Sequence, residues 1–281
     1  MVRFIIDSAS DILPQEAEKL GIALLPMTVR FGEEEYRDAV DLSHRAFYEK
    51  LIENDELPTT SQVSPAVFED AYAEVTANGD TAVVITVSSK LSGTYQSAVI
   101  AAADYAGKVF VVDSENVCVG ERILLERGMK LAKEGLSAAQ IAVQLDKEKK
   151  EIRVMALLDT LEYLKKGGRI SSAVAFAGGL LAIKPVVAAV DGKVELIGKA
   201  RGSKQGNNLL HKLTDENGVD FNRPFCLAYS GLSDQLLMKY IEDSASIWKD
   251  RTDTLPIATV GCTIGTHIGP GAIAVAFFAE K

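Results

Sequence analysis

Thr81 to Asp113 reads TAVVITVSSKLSGTYQSAVIAAADYAGKVFVVD, and the fold class follows from its parts. Thr81 to Ser88 is a near-continuous Val/Ile run, the pattern of a strand covered on both faces. Ala-rich Ser97 to Ala106 predicts a helix stopped at Gly107, and Lys108 to Asp113 predicts the next strand. Strand, helix and strand in this order point to a mostly parallel sheet with helices on both faces.

The same alternation extends to either side. VRFII (Val2 to Ile6) and ALLPMTVRF (Ala23 to Phe31) read as further strands. Pro14 to Leu20 predicts a helix stopped at Gly21, and Ser64 with Pro65 opens another that ends near Asn78-Gly79. Two more helices are expected at Glu121 to Glu134 and Ala138 to Lys150, the second opened by a Ser137-x-x-Gln140 capping box. The charged run DKEKKE closes it and sets the expected boundary, with an N-terminal α/β domain over 1–150 and a C-terminal domain over 151–281. The second half is a strand (Glu151 to Asp159), a short helix capped by Asp159-x-x-Glu162 and an apolar helix at Ala173 to Ile183. A hairpin from Pro185 to Lys199 turns at Asp191-Gly192, and strands follow at Phe225 to Gly231, Ile257 to Gly261 and Ala272 to Phe278. That order favours a mixed, largely antiparallel α+β domain. No Pro/Ser-rich linker separates the halves, so a broad interface between them is expected.

Composition narrows the partners. The chain has 281 residues, 30 Lys+Arg against 39 Asp+Glu and a formal net charge of −9, the opposite of a nucleic-acid binder. The charge is uneven. Met1 to Thr60 carries thirteen acidic and six basic residues, whereas Thr160 to Lys204 carries eight basic and three acidic. One basic segment in an acidic protein suits an anion or an acidic partner. Cys118, Cys226 and Cys262 are widely spaced and odd in number, which fits a reducing cytosol rather than a disulfide framework or a zinc site. MVRFIIDSASD turns acidic too early for a signal peptide, and the apolar run Ala173 to Ile183 is too short to span a bilayer.

In a parallel α/β sheet, ligands gather where strands end and helices begin. Each strong strand here ends in hydroxyls: DSASD (Asp7 to Asp11), SSKLSGTYQSA (Ser88 to Ala98) and Asp113-Ser114. In LSGT a glycine, Gly93, separates the hydroxyls of Ser92 and Thr94, so backbone and side-chain donors can approach a ligand together. The loop is neither a Walker A motif nor a G-x-S-x-G elbow. PTTSQVSP adds Thr59, Thr60, Ser61 and Gln62 in an extended stretch. Of the three histidines, His44 is expected to be exposed at the start of a helix and His211 to lie on a helix surface. His267 is expected in a Gly-rich loop, as a donor to an anionic or carbonyl ligand. A serine hydrolase built from Ser92, His267 and Asp7 or Asp113 is the alternative. The missing elbow counts against it.

DSASD, PTTSQVSP, SSKLSGTYQSA, VVDS, KKGGRIS (Lys165 to Ser171) and IGTHIGPGAIA, in this order and spacing, resemble the DegV family of bacterial fatty-acid-binding proteins over essentially the whole chain. The resemblance implies a two-domain fold with one long-chain fatty acid in a tunnel between the domains, presented to a separate fatty acid kinase for conversion to acyl phosphate. It implies no catalytic residue, no metal and no cofactor beyond the bound acid, and it admits transient contact with a membrane surface. Carried over, Thr60, Ser92 and His267 hold the carboxylate, within a lipid-binding set completed by Ser61, Gly93 and Thr94. Arg169 and Arg201 would lie near the tunnel mouth as kinase-docking or phosphate-contacting residues. The chain departs from the family pattern at Cys118 and Arg122, where a serine and then glycines are usual.

Physical chemistry accommodates such a ligand. About fifteen methylenes at ~0.8 kcal/mol each offer about 12 kcal/mol on leaving water, before the costs of binding. Hydrogen bonds to the charged head add about 1.5–3 kcal/mol each. Hydroxyls and an imidazole would hold the carboxylate while leaving an oxygen open to phosphorylation. The Ala/Gly-rich run Ala173 to Ile183 is the expected lining for the tail.

Overall fold

The computed structural model describes residues 1–171 and 183–280. Its first half runs β1 (Val2–Asp7), α1 (Pro14–Leu20), β2 (Ala23–Leu25), β3 (Thr28–Phe31), β4 (Glu34–Arg37), α2 (His44–Glu53), β5 (Thr59–Ser61), α3 (Pro65–Thr76), β6 (Thr81–Thr86), α4 (Thr94–Ala101), β7 (Val109–Asp113), α5 (Val119–Lys133) and α6 (Ala138–Glu148). Strands β2-β1-β6-β7 form a four-stranded sheet in that order, every adjacent pair parallel. Burial of β1 from Phe4 and of β6 from Ala82 explains why both read as continuous apolar runs. The capping box of α6 forms as its sequence requires: Ser137 N–H donates to Gln140 Oε1 at 3.0 Å and Gln140 N–H to Ser137 Oγ at 3.4 Å.

The run Ala23 to Phe31 is two strands rather than one. Pro26, which lacks an N–H to continue a ladder, lies between β2 in the parallel sheet and β3 in a separate antiparallel sheet of order β4-β3-β5. This small sheet places Thr60 opposite Val29.

The second half runs β8 (Ile152–Leu157), α7 (Glu162–Lys166), β9 (Ile183–Val190), β10 (Lys193–Arg201), α8 (Gly202–Asn217), β11 (Phe225–Tyr229), α9 (Gln235–Asp243), α10 (Ala245–Trp248), β12 (Ile257–Thr259), α11 (Cys262–Ile268) and β13 (Ile273–Phe278). Its six-stranded sheet has the order β10-β9-β8-β13-β11-β12, antiparallel except between β11 and β12. The hairpin turns at Asp191 (φ +47°) and Gly192 (φ +79°), the two left-handed positions of a type I′ turn. Asp159 does not cap α7. It pairs with Lys184, and Thr160 Oγ1 accepts from Glu162 N–H at 3.2 Å instead. The helix expected over Ala173 to Ile183 lies outside the described residues except for Ile183, which begins β9.

Strands β8, β11 and β13 alternate small and large side chains, and the alternation assigns their faces. Val154, Ala156, Cys226, Ala228, Ala274 and Ala276 turn toward the first half. Met155, Leu227, Val275 and Phe277 pack instead with Leu210, Leu237 and Tyr240 of α8 and α9. Helix α5 fits against the small face so closely that a Cβ on Gly120 would lie 2.1 Å from Val154 Cγ2. Farther along the same face, where α5 does not reach, the alanines leave a cavity. No described helix is long and apolar enough to cross a membrane.

Two histidine expectations are corrected. His267 is not in a loop but in the last turn of α11, which Gly269 (φ +71°) terminates. CTIGTHI carries too many small residues to look helical, yet Gly265 is required there: a Cβ would lie 2.7 Å from both Phe47 Cε1 and the Tyr48 hydroxyl. His44 is buried rather than exposed, because the N-terminus of α2 packs beneath the segment entering α11, with His44 Nε2 4.0 Å from Asp38 Oδ1.

Candidate functional site

The cavity has a volume of about 350 Å³ and lies between the two sheets, within the usual range for small-molecule sites. Its apolar part is lined by buried Val87 and Cys118 from the first half and by Val154, Val187 and Ala274 from the second. Its polar part carries Thr60, Ser61, Gln62, Ser92, Arg169 and His267. Ser61 and Gln62 are exposed, so the polar end is the one that opens to solvent.

Thr60 and His267, 207 positions apart, meet at 2.9 Å between Oγ1 and Nε2. His267 Nδ1 is buried with no hydrogen-bond partner among the described residues. It faces Gly167, where a Cβ would fall 2.3 Å from it, so the glycine of KKGGR is what admits the ring. Stranding an N–H is more costly than stranding a lone pair, which assigns the proton to Nε2. The imidazole then donates to Thr60 Oγ1 and leaves the threonine hydrogen directed to other acceptors. Burial, and then the positive charge of Arg169, push the His267 pKa down to about 4. The imidazole is therefore neutral at pH 7, a donor without a charge of its own.

Ser92 and Gly93 precede α4. Ser92 Oγ lies 2.9 Å from Thr94 Oγ1 and accepts from Thr94 N–H at 3.3 Å. Thr94 is fully buried and supports Ser92 rather than lining the cavity. Gly93 allows Gln62 to lie across the loop, since a Cβ there would meet Gln62 Oε1 at 1.9 Å. Gln62 in turn donates to Ser97 Oγ at 2.8 Å. Arg169 Nε donates to Leu91 O at 3.2 Å and Nη1 to Gly167 O at 2.6 Å. Its guanidinium thus ties the LSGT loop to the end of α7 while adding positive potential beside the hydroxyls.

The structure brings Thr60, Ser61, Ser92, Gly93, Arg169 and His267 to one cavity. Arg201 is not among them: it ends β10 with an exposed side chain away from the lining. Cys118, singled out only as a departure in sequence, lines the apolar part and holds a left-handed backbone (φ +58°) at the start of α5. The lining alanines Ala156, Ala188, Ala189 and Ala274 carry no motif. For Ala156 and Ala274 the signal is the small-large alternation of β8 and β13.

A Ser-His-Asp relay is not assembled. Asp7 accepts from the backbone of Ala9 and Val87, both at 2.9 Å. Asp113 accepts from Ser89 and Glu115 N–H at 3.1 and 3.0 Å. Among the described residues no carboxylate reaches His267 Nδ1, and Ser92 is paired with Thr94. Among the described residues no cluster of His, Cys, Asp and Glu is arranged to hold a metal ion.

The DegV family model, described as "Uncharacterised protein, DegV family", matches residues 1–280. A DegV domain-containing protein of Caldanaerobacter subterraneus is 34% identical over 100% of this chain and 99% of its own length. Among solved structures, a DegV family protein from Thermus thermophilus described for its fatty acid binding has a TM-score of 0.89 and 30% identity, with 99% of each chain covered. A stearic acid-binding protein from Eubacterium ventriosum has a TM-score of 0.85 and 27% identity, covering 98% of this chain and 97% of its own.

Proposed function

Given that this chain belongs to the DegV family, we propose that it binds one long-chain fatty acid in the cavity between its sheets and presents the carboxylate to a fatty acid kinase. The observation that carries the reading is the Thr60–His267 pair at the open, polar end of an otherwise apolar cavity. A carboxylate at that end accepts from the Thr60 and Ser92 hydroxyls, and the His267 N–H, donating to Thr60 Oγ1, aims the threonine hydrogen at it. The tail then runs along the alanine face of the six-stranded sheet. Neutral donors leave carboxylate oxygens reactive, and Arg169 favours the ionised head without forming a bidentate clamp, because its Nε and Nη1 are already bonded to carbonyls.

In this reading the protein is a carrier, and phosphorylation is performed by the partner. Arg169 at the opening, Arg201 at the end of β10 and the basic segment between them form the proposed docking side for the kinase. Denaturing mass spectrometry of the purified protein, followed by titration with long-chain acids, tests the reading. A co-purifying or stoichiometrically acquired fatty acid is expected, with Thr60→Val, Ser92→Ala and His267→Ala each weakening affinity by about tenfold to a hundredfold. Protein that neither carries nor takes up such an acid overturns it. Adding a fatty acid kinase and ATP to the loaded protein should yield acyl phosphate, and Arg201→Glu should slow that transfer without weakening acid binding.

A further inference from the structure

We propose that Asp38 is a positioning residue for the carboxylate site, acting through α11 on His267; this rests on the fatty-acid reading above. Asp38 is 1% exposed and follows β4 in the small sheet. Its Oδ1 accepts from Cys262 N–H at 3.0 Å, and its Oδ2 accepts from Thr263 N–H at 3.0 Å and from the Ser8 hydroxyl at 3.2 Å. One carboxylate therefore binds the first two amides of α11, across 224 and 225 positions of sequence. Adjacent bonds complete the grip. Gly261 N–H donates to Asp11 Oδ1 at 2.8 Å, and the Tyr48 hydroxyl donates to Val260 O at 3.1 Å.

This grip matters because α11 has only seven residues. Its start is held by Asp38, and its last turn carries His267. The same small sheet that ends at Asp38 also holds β5, and β5 carries Thr60. Asp38 is itself fixed to this unit: its N–H donates to Met27 O at 2.9 Å, and Met27 N–H donates to Ser8 Oγ at 3.0 Å. One rigid piece of the first half thus sets both members of the Thr60–His267 pair, one directly and the other through the helix. A negative charge at the helix N-terminus also suits its dipole. Asp38→Asn retains the size but turns an N–H₂ toward one of the two amides, donor against donor, and the start of α11 shifts.

Dissociation constants for a long-chain fatty acid and for the fatty alcohol of equal length, measured on the parent, Asp38→Asn, Ser8→Ala and His267→Ala, test the assignment. The alcohol reports the tail cavity and lacks the carboxylate. Asp38→Asn is expected to weaken the acid by at least about tenfold, a loss of the size of one hydrogen bond to a charged group, while the alcohol stays within about twofold. The His267 imidazole nitrogen resonances should shift in the same variant. A folded Asp38→Asn protein with parental acid affinity, or with equal losses for acid and alcohol, overturns the positioning role. Where Asp38→Asn does not fold, Ser8→Ala decides: it removes the hydroxyl that anchors Asp38 Oδ2 and Met27, so the carboxylate and the two amides it holds should shift, and acid affinity and His267 resonances both equal to the parent's overturn the role. Acid affinity unchanged in His267→Ala instead removes the head-site reading on which the proposal stands, and a parent that binds no acid removes the fatty-acid reading itself.

Discussion

Glu121 lies on α5 with no exposed surface, and neither of its carboxylate oxygens has a hydrogen-bond partner among the described residues. Burial, and then the charges of Asp7, Asp11 and Asp113, raise its pKa well above the ordinary value. The native state therefore holds this proton at a pH where the unfolded chain has released it, so stability falls as pH rises from the unfolded pKa to the native one. Glu121→Gln removes that dependence with little change of shape. The variant should melt with the parent near pH 4.5 and above it at pH 8, the gap growing by up to about 1.4 kcal/mol per pH unit. Thermal melts across that range check this, and a gap independent of pH would contradict the buried-acid account. Asp7 and Asp11, each pushed up to about 7 mainly by burial, act in the same direction in both proteins and cancel from the comparison. Residue chemistry of this kind was only partly legible beforehand. Ser92 and His267 stood out as a hydroxyl and an imidazole beside glycines, and Thr60 through the resemblance of its motif. Glu121, Asp38 and His44 did not, because charged residue types are expected at the surface and their burial depends on contacts distant in sequence.

Among the elements, β8 and β13 carry the argument for a ligand as strongly as the polar loops do. Ala156 and Ala274 are paired neighbours on the two strands and line the cavity. Their small size is what keeps the space open, for the opposite faces of the same strands carry Met155 and Val275 in a filled core. Ala274→Leu should therefore occupy part of the tail path. Affinity for a long acid is expected to fall by about tenfold or more, since three added carbons displace tail contacts worth ~0.8 kcal/mol per methylene. Affinity for an acid several carbons shorter should be retained. Titration with a series of chain lengths measures this, and equal loss at every length would mean that the strand face does not contact the tail. Period-two alternation makes such a face readable from sequence. The Ala/Gly-rich run Ala173 to Ile183, the expected lining, lies outside the described residues except for Ile183. The helices α1, α3 and α6 were legible from their proline and capping signals. Helix α11 was not, because its N-terminal partners come from the other half of the chain.

For the whole molecule, the consequence is a ligand that would couple two halves with different sheets. Thr60, Ser92 and Cys118 come from the first half, while Val154, Val187, Ala274 and His267 come from the second. A bound acid would contact both, and only when they are assembled, so binding stabilises the joined native state over the unfolded chain by mass action. At a free acid concentration a hundred times the dissociation constant the gain is about 2.7 kcal/mol, which for a chain of this size raises the melting temperature by roughly 4–6 °C. Calorimetry with and without the acid on delipidated protein checks the size of the effect. A Thr60→Val, His267→Ala double variant, with the tail cavity intact and the head site removed, should require a much higher acid concentration for the same rise. Two melting transitions without acid that merge on its addition would mark the coupling directly. A rise confined to one of two resolved transitions, in a protein whose direct titration shows binding, would mean that the ligand contacts one half alone and that the cavity between the sheets is not where it is held.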